Sequence, residues 1–258
     1  MIVGDLAAID ALPRRVPVPA LRATAEACLD TGVTLADARV VVMLDQGGVG
    51  EALVKRLEKA GASALTLAAG ISTEEALSCL DGWLADGPIS GVYWLAALDD
   101  EGELTAYDLA GWQEALRRRV KVLYATMRRL WDTSPFLVSA TRLGGYHGYD
   151  VGGATSVLGG AVVGFTKSYK KERPDALVKA VDLPASRKTA AIADLLLEET
   201  LKDPGCVEVG RVEGRRFGVA FLESPFPALS ADGSAEGEGG LALTSETVFV
   251  VTGAAGSI

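Results

Sequence analysis

Arg39-Val40-Val41-Val42-Met43-Leu44-Asp45-Gln46-Gly47-Gly48-Val49-Gly50 reads as a valine-rich strand that ends at an acid and turns through glycines into a helix. An unbroken β-branched run suits a strand buried on both faces, as in parallel sheets. The helix that follows, to about residue 60, carries the chain back to begin a second strand. This stretch sets the fold class, because the same alternation continues for the next 150 residues.

Strands are expected at residues 64–68, 91–98, 135–140, 176–183 and 206–209. Helices are expected at 73–85, 107–131, 153–171 and 188–201. In the first of these, Ala76, Leu77, Leu80 and Leu84 fall at helical spacing. A last strand, 214–222, pairs back through the turn near Glu213-Gly214. The expected fold is α/β: a Rossmann-like three-layer sandwich with a mostly parallel sheet. Residues 1–37, with Pro13, Pro17 and Pro19, fall outside the alternation and are expected to be a lead-in that packs on the sheet. The domain itself is expected to cover 38–224. Residues 225–246 turn to Ser, Gly, Ala and acid, the composition of a flexible linker.

A net charge of −9 over 258 residues opposes phosphate backbones and anionic lipid, so neither nucleic acid nor membrane is expected as a partner. Residues 151–166 are apolar but shorter than the ~20 needed to cross a bilayer. Cys28, Cys79 and Cys206 show no metal-type spacing, and the N-terminal residues carry no secretion pattern, so a cytoplasmic protein without a metal is expected.

Three features are candidates for chemistry. Gly47, Gly48 and Gly50 form part of a phosphate-binding loop, in which glycines let backbone amides approach a pyrophosphate at a helix N-terminus. The glycine that should open the turn is missing, and Asp45 would set a carboxylate beside the phosphates. The loop is either a tight turn left after binding was lost or a working site. His147 is the single histidine, and no nucleophile motif accompanies it, so a structural or surface role is expected. Arg117, Arg118, Arg119 and Lys121 read as a solvated helix face or as contacts to an acidic partner.

After the linker, Thr247-Val248-Phe249-Val250-Val251-Thr252-Gly253-Ala254-Ala255-Gly256-Ser257-Ile258 is again a strand entering a glycine loop, with Thr252, Gly253 and Gly256 in the positions of a dinucleotide fingerprint. A fold of this type cannot follow in the residues left, so residues 247–258 are expected to begin a second domain.

The order of elements resembles short-chain dehydrogenases/reductases. That resemblance implies a Tyr-x-x-x-Lys pair, in which the tyrosine donates a proton and the lysine lowers its pKa. Four residues after Tyr93, Tyr107, Tyr124, Tyr146, Tyr149 and Tyr169 stand Ala97, Gly111, Arg128, Asp150, Gly153 and Arg173. Aligned on Gly160-Ala161-Val162-Val163-Gly164-Phe165-Thr166-Lys167-Ser168, the family's tyrosine falls at Thr155 and its lysine at Gly159. Ser139 stands at a plausible strand end for the family's serine. The chain has no asparagine at all, although the family uses two. No catalytic residue is therefore expected, and the fold reads as a degenerate member.

An empty reductase-like fold followed by the start of an intact one resembles the ketoreductase of a type I polyketide synthase or polyunsaturated fatty acid synthase. There a structural subdomain without cofactor precedes a catalytic subdomain that binds NADPH. The resemblance implies a scaffold whose partners are the catalytic subdomain in the same chain and acyl carrier protein domains, with a homodimer possible for the isolated piece. Two alternatives stay open: a stand-alone dehydrogenase with an atypical active site, and a module binding nucleotide or acyl carrier through Gly47–Gly50 or Arg117–Lys121.

Overall fold

A computed structural model describes residues 14–224 together with 246, 248 and 250. The linker and the second glycine loop, with Thr252, Gly253 and Gly256, thus lie almost wholly outside the described residues. One compact unit spans Val18–Ala220; Met1–Pro17 and Phe221–Ile258 group separately. Within the described part of the second group, the Ser224 amide donates to the Arg14 carbonyl at 2.9 Å and Arg15 pairs with Glu223 at 3.4 Å.

The strands are β1 (Arg15–Arg22), β2 (Arg39–Met43), β3 (Ser63–Leu67), β4 (Gly91–Ala97), β5 (Phe136–Thr141), β6 (Val178–Asp182), β7 (Glu208–Val212) and β8 (Arg215–Glu223). The helices are α1 (Val49–Lys59), α2 (Thr73–Ala85), α3 (Leu109–Leu116), α4 (Val122–Arg129), α5 (Gly159–Glu172) and α6 (Thr189–Leu201). The strands form one sheet in the order β1-β8-β7-β6-β5-β4-β2-β3. Pairing is parallel from β3 across to β7 and antiparallel between β7 and β8. The expected three-layer α/β sandwich with a mostly parallel sheet is what the chain forms.

Strand period two sorts the core. Val40 and Val42 face α1 and α6, packing with Leu53, Leu57, Ile192 and Leu196, while Val41 and Met43 face Leu80 of α2, Leu123 and Met127 of α4 and Val162 of α5. Every residue of β4 and β5 is buried, so helices cover both faces there. Set against the doubly wound strand order 3-2-1-4-5-6, β2, β3 and β4 take places 1, 2 and 4, and no strand among the described residues takes place 3. The chain reverses direction between β2 and β4, which makes the carboxyl ends of those strands the switch point where ligands sit in such folds.

Three expectations need correcting. Arg15–Arg22, read as lead-in, is the edge strand beside β8. The helix expected from 153 begins at Gly159, because residues 144–153 hold turns in which Gly144, Gly145, Gly148 and Gly153 take positive φ, a conformation no helix continues. The long helix runs without interruption over 109–129 but is not α throughout, holding a π turn at Arg117–Lys121. There the Trp94 indole N–H donates to the Arg119 carbonyl at 2.8 Å, drawing that carbonyl away from the helical ladder.

Candidate functional site

At the switch point, β2 ends and α1 begins through Asp45–Gly48. Gly48 turns the chain with φ +86°. The Asp45 carboxylate, 2% exposed, accepts the amides of Gly47 at 3.0 Å, Val49 at 3.3 Å and Gly50 at 2.7 Å. Asp99, after β4, accepts the amide of Gln46 at 2.6 Å. These are the backbone groups that a glycine loop offers to a pyrophosphate, and here the chain's own acids occupy them. A dinucleotide phosphate would meet two carboxylates, with the amides of Gln46, Gly47, Val49 and Gly50 already taken, so the residues present do not fit that group.

The glycines nevertheless have a structural reason to be there. A Cβ on Gly50 would lie 2.6 Å from Leu44 Cδ2 and 3.1 Å from Leu44 Cα, so α1 packs on β2 only without a side chain at that position. Burial raises the pKa of Asp99; the Gln46 amide opposes that, and the nearby Asp45 adds to it. A cleft of about 260 Å³ beside the loop is lined by Gln46, Asp99, Asp100, Tyr107, Glu114 and Arg118 among others.

The same arrangement recurs along this edge of the sheet. Glu101, 7% exposed, accepts the Leu158 amide at 3.0 Å and so caps α5. Burial raises its pKa, with the Leu158 amide acting against that. Asp182 at the end of β6 accepts the amides of Leu143 at 2.6 Å, Gly145 at 2.6 Å and His147 at 2.9 Å, and the Thr141 hydroxyl at 2.8 Å. One carboxylate thereby folds the whole loop after β5. Nothing in local spacing announces Asp182 or Glu101, because their partners lie 35 to 57 residues away.

The positions aligned with the reductase proton donor and its lysine hold no such chemistry. The Thr155 hydroxyl donates to the Arg142 carbonyl at 2.8 Å, and Gly159 opens α5. Ser139 is inside β5 and fully buried, sharing a hydrogen bond with the Thr166 hydroxyl at 2.8 Å. The reading of it as a ligand-facing strand end is corrected: α5 covers it.

The arginine run also divides. Arg117 and Arg118 both donate to Glu114, each at 2.6 Å. The Arg117 and then the Arg118 hydrogen bonds hold the Glu114 carboxyl down at about 2. Arg119 departs from the expected solvated face: it is 5% exposed, and its guanidinium donates to the carbonyls of Ala115, Asp99 and Asp100 at 3.3–3.4 Å. The π turn rotates it inward. His147 is buried rather than on the surface, with φ +56°.

Behind β6 to β8 lies a buried ion cluster. Glu199 accepts from Lys179 Nζ at 3.0 Å, Arg211 Nε at 2.7 Å and Arg216 Nε at 2.8 Å, and Arg216 reaches Asp203 at 2.9 Å. Lys179 and Glu199 are fully buried. Burial works to raise the Glu199 pKa, but Arg216, Lys179 and Arg211 outweigh it and leave it lowered. These charges neutralise one another and line no cleft described above.

The three-layer fold with its mostly parallel sheet is similar to that of short-chain dehydrogenases/reductases. Among solved structures, a keto acid-selecting NRPS module with adenylation, ketoreductase and pseudo-Asub parts superposes with TM-score 0.60 at 12% identity, over 82% of this chain and 18% of that one. This chain thus spans less than a fifth of that module. A short-chain dehydrogenase/reductase from Serratia marcescens gives TM-score 0.55 at 14% identity, over 70% of this chain and 98% of that one. A C2-type ketoreductase from a modular polyketide synthase gives 0.52 at 17% identity, over 85% of this chain and 46% of that one. No protein-family model and no curated protein matches the chain.

Proposed function

We propose that this chain is the non-catalytic scaffold half of a ketoreductase, stabilising an NADPH-binding half that reduces β-ketoacyl thioesters in a polyketide or polyunsaturated fatty acid synthase. The observation that carries the reading is the loop at Asp45–Gly50, where the protein's own carboxylate holds the amides a pyrophosphate needs. The outer strand position beside β3, vacant among the described residues, and the absence of a Tyr-x-x-x-Lys pair support it. So do the likenesses to multidomain ketoreductases, of which this chain matches only a part.

In this reading the α4 and α5 face is where the catalytic half docks. Tyr124 is 52% exposed there and stands edge-on to Phe165. The test is calorimetric titration of NADPH into this chain and into a chain extended through ~200 further residues, the rough size of one more domain. Binding in the longer protein alone is expected. Saturable binding to the 258-residue chain would overturn the reading.

A further inference from the structure

His147 is the chain's one histidine and is 8% exposed, yet neither ring nitrogen has a hydrogen-bond partner. The backbone of Val209 comes close enough to act on the ring as a weak hydrogen-bond partner, short of a full hydrogen bond. The ring lines a cleft of about 160 Å³ with Leu143, Tyr149, Val163, Lys167 and Glu208. A second orphan shares that cleft. Glu208 Oε1 is buried without a partner, while its Oε2 takes Lys167 Nζ at 2.8 Å. Buried polar atoms without partners are rare and cost about 1–3 kcal/mol each. Two of them lining one opening indicate an occupant. The cleft shares no lining residue with the one at the switch point.

We propose that this cleft is a binding site for a small uncharged ligand carrying hydroxyl or primary amide groups. Burial lowers the His147 pKa, against the pull of Asp182 and Glu208, which favours a neutral ring with one N–H donor and one bare nitrogen. Glu208 Oε1 is a second acceptor. The complement must supply an O–H or N–H to each acceptor and an oxygen to the imidazole N–H. An alcohol or an amide brings both from one group. A carboxylate would meet the unpaired oxygen of Glu208, and an ammonium would leave the imidazole N–H unanswered. Leu143, Val163 and the Tyr149 ring face the ligand's carbon side. The volume is that of about five waters at ~30 Å³ each, room for a ligand of a few carbons.

Because the chain holds one histidine, its Cε1–H resonance in proton NMR reports on this cleft alone. Glycerol and propionamide, each titrated into the untagged chain, are expected to shift it saturably in the millimolar range. Acetate and methylammonium are expected to give only a linear drift. Gly164 and Gly160 line the cleft, and a Cβ on either meets nothing within 4 Å. Gly164→Leu and Gly160→Leu should therefore fold, gain helix propensity and lose the saturable shift, with circular dichroism confirming the fold. Linear drift with both glycerol and propionamide would overturn the site. Saturation surviving in both leucine variants would overturn its location, and saturation by acetate would overturn its chemistry.

Discussion

Replacing Asp45 by alanine removes the acceptor of three amides at once. Gly47 is exposed, so water takes over its N–H, but Val49 and Gly50 are buried and lose their partner outright. At about 1–3 kcal/mol for each buried donor left unsatisfied, partly relieved by water entering the vacated space, the loss should be about 2–4 kcal/mol. In a domain of this size that lowers Tm by on the order of 5–15 °C. The same change exposes a bare ring of amides at the start of α1, so inorganic phosphate should recover part of the lost stability in Asp45→Ala through binding to the folded state. It should do nothing for the parent chain. Urea unfolding and thermal melts at several phosphate concentrations measure both effects. A variant within ~0.5 kcal/mol of the parent, the ordinary range for a surface substitution, would refute the argument that the carboxylate occupies and satisfies the loop.

Glu199→Gln should cost about 3–5 kcal/mol in urea unfolding, because Lys179, Arg211 and Arg216 then lose the buried charge they share; a loss under ~1 kcal/mol would show the cluster to be dispensable. His147 has a folded pKa below its ordinary 6.5, so the unfolded chain takes up the proton first, and stability should fall as pH drops through 6.5. His147→Asn, which tolerates the positive φ, should flatten the urea midpoint between pH 7.5 and pH 5.5; equal slopes in both proteins would contradict the burial argument. The carboxyls lowered in the ion cluster, Glu199 and Asp203, act in a separate window, at and below their ordinary values of 4.5 and 3.8.

The parallel sheet was legible because Val40–Met43, Val92–Leu95 and Phe136–Val138 are apolar on both faces, which few other local structures accommodate. The glycine loop was legible as a turn, and Asp45 as an acid in the wrong place for phosphate. What hid was everything that depends on distant partners. Arg15–Arg22 carries two prolines and joins the sheet only because β8 is there to receive it. Ser139 looked available because strand ends are often open, and only the position of α5 buries it. Arg119 looked like its neighbours Arg117 and Arg118, and only the Trp94 indole, 25 residues upstream, accounts for the turn that draws it inside.

That π turn has a consequence for lining up this chain with its structural neighbours. A π turn holds one more residue than the α turn it replaces, and one residue is about 100° of helix rotation. Against a helix without such a turn, a straight, gapless alignment through residues 109–129 would be correct on one side of Arg117–Lys121 and a third of a turn out on the other. Tyr124, Met127 and Arg128 would each be matched to a residue on another face of that helix. A one-residue gap inside 117–121 restores the match to an uninterrupted α-helix and returns all three side chains to their own faces.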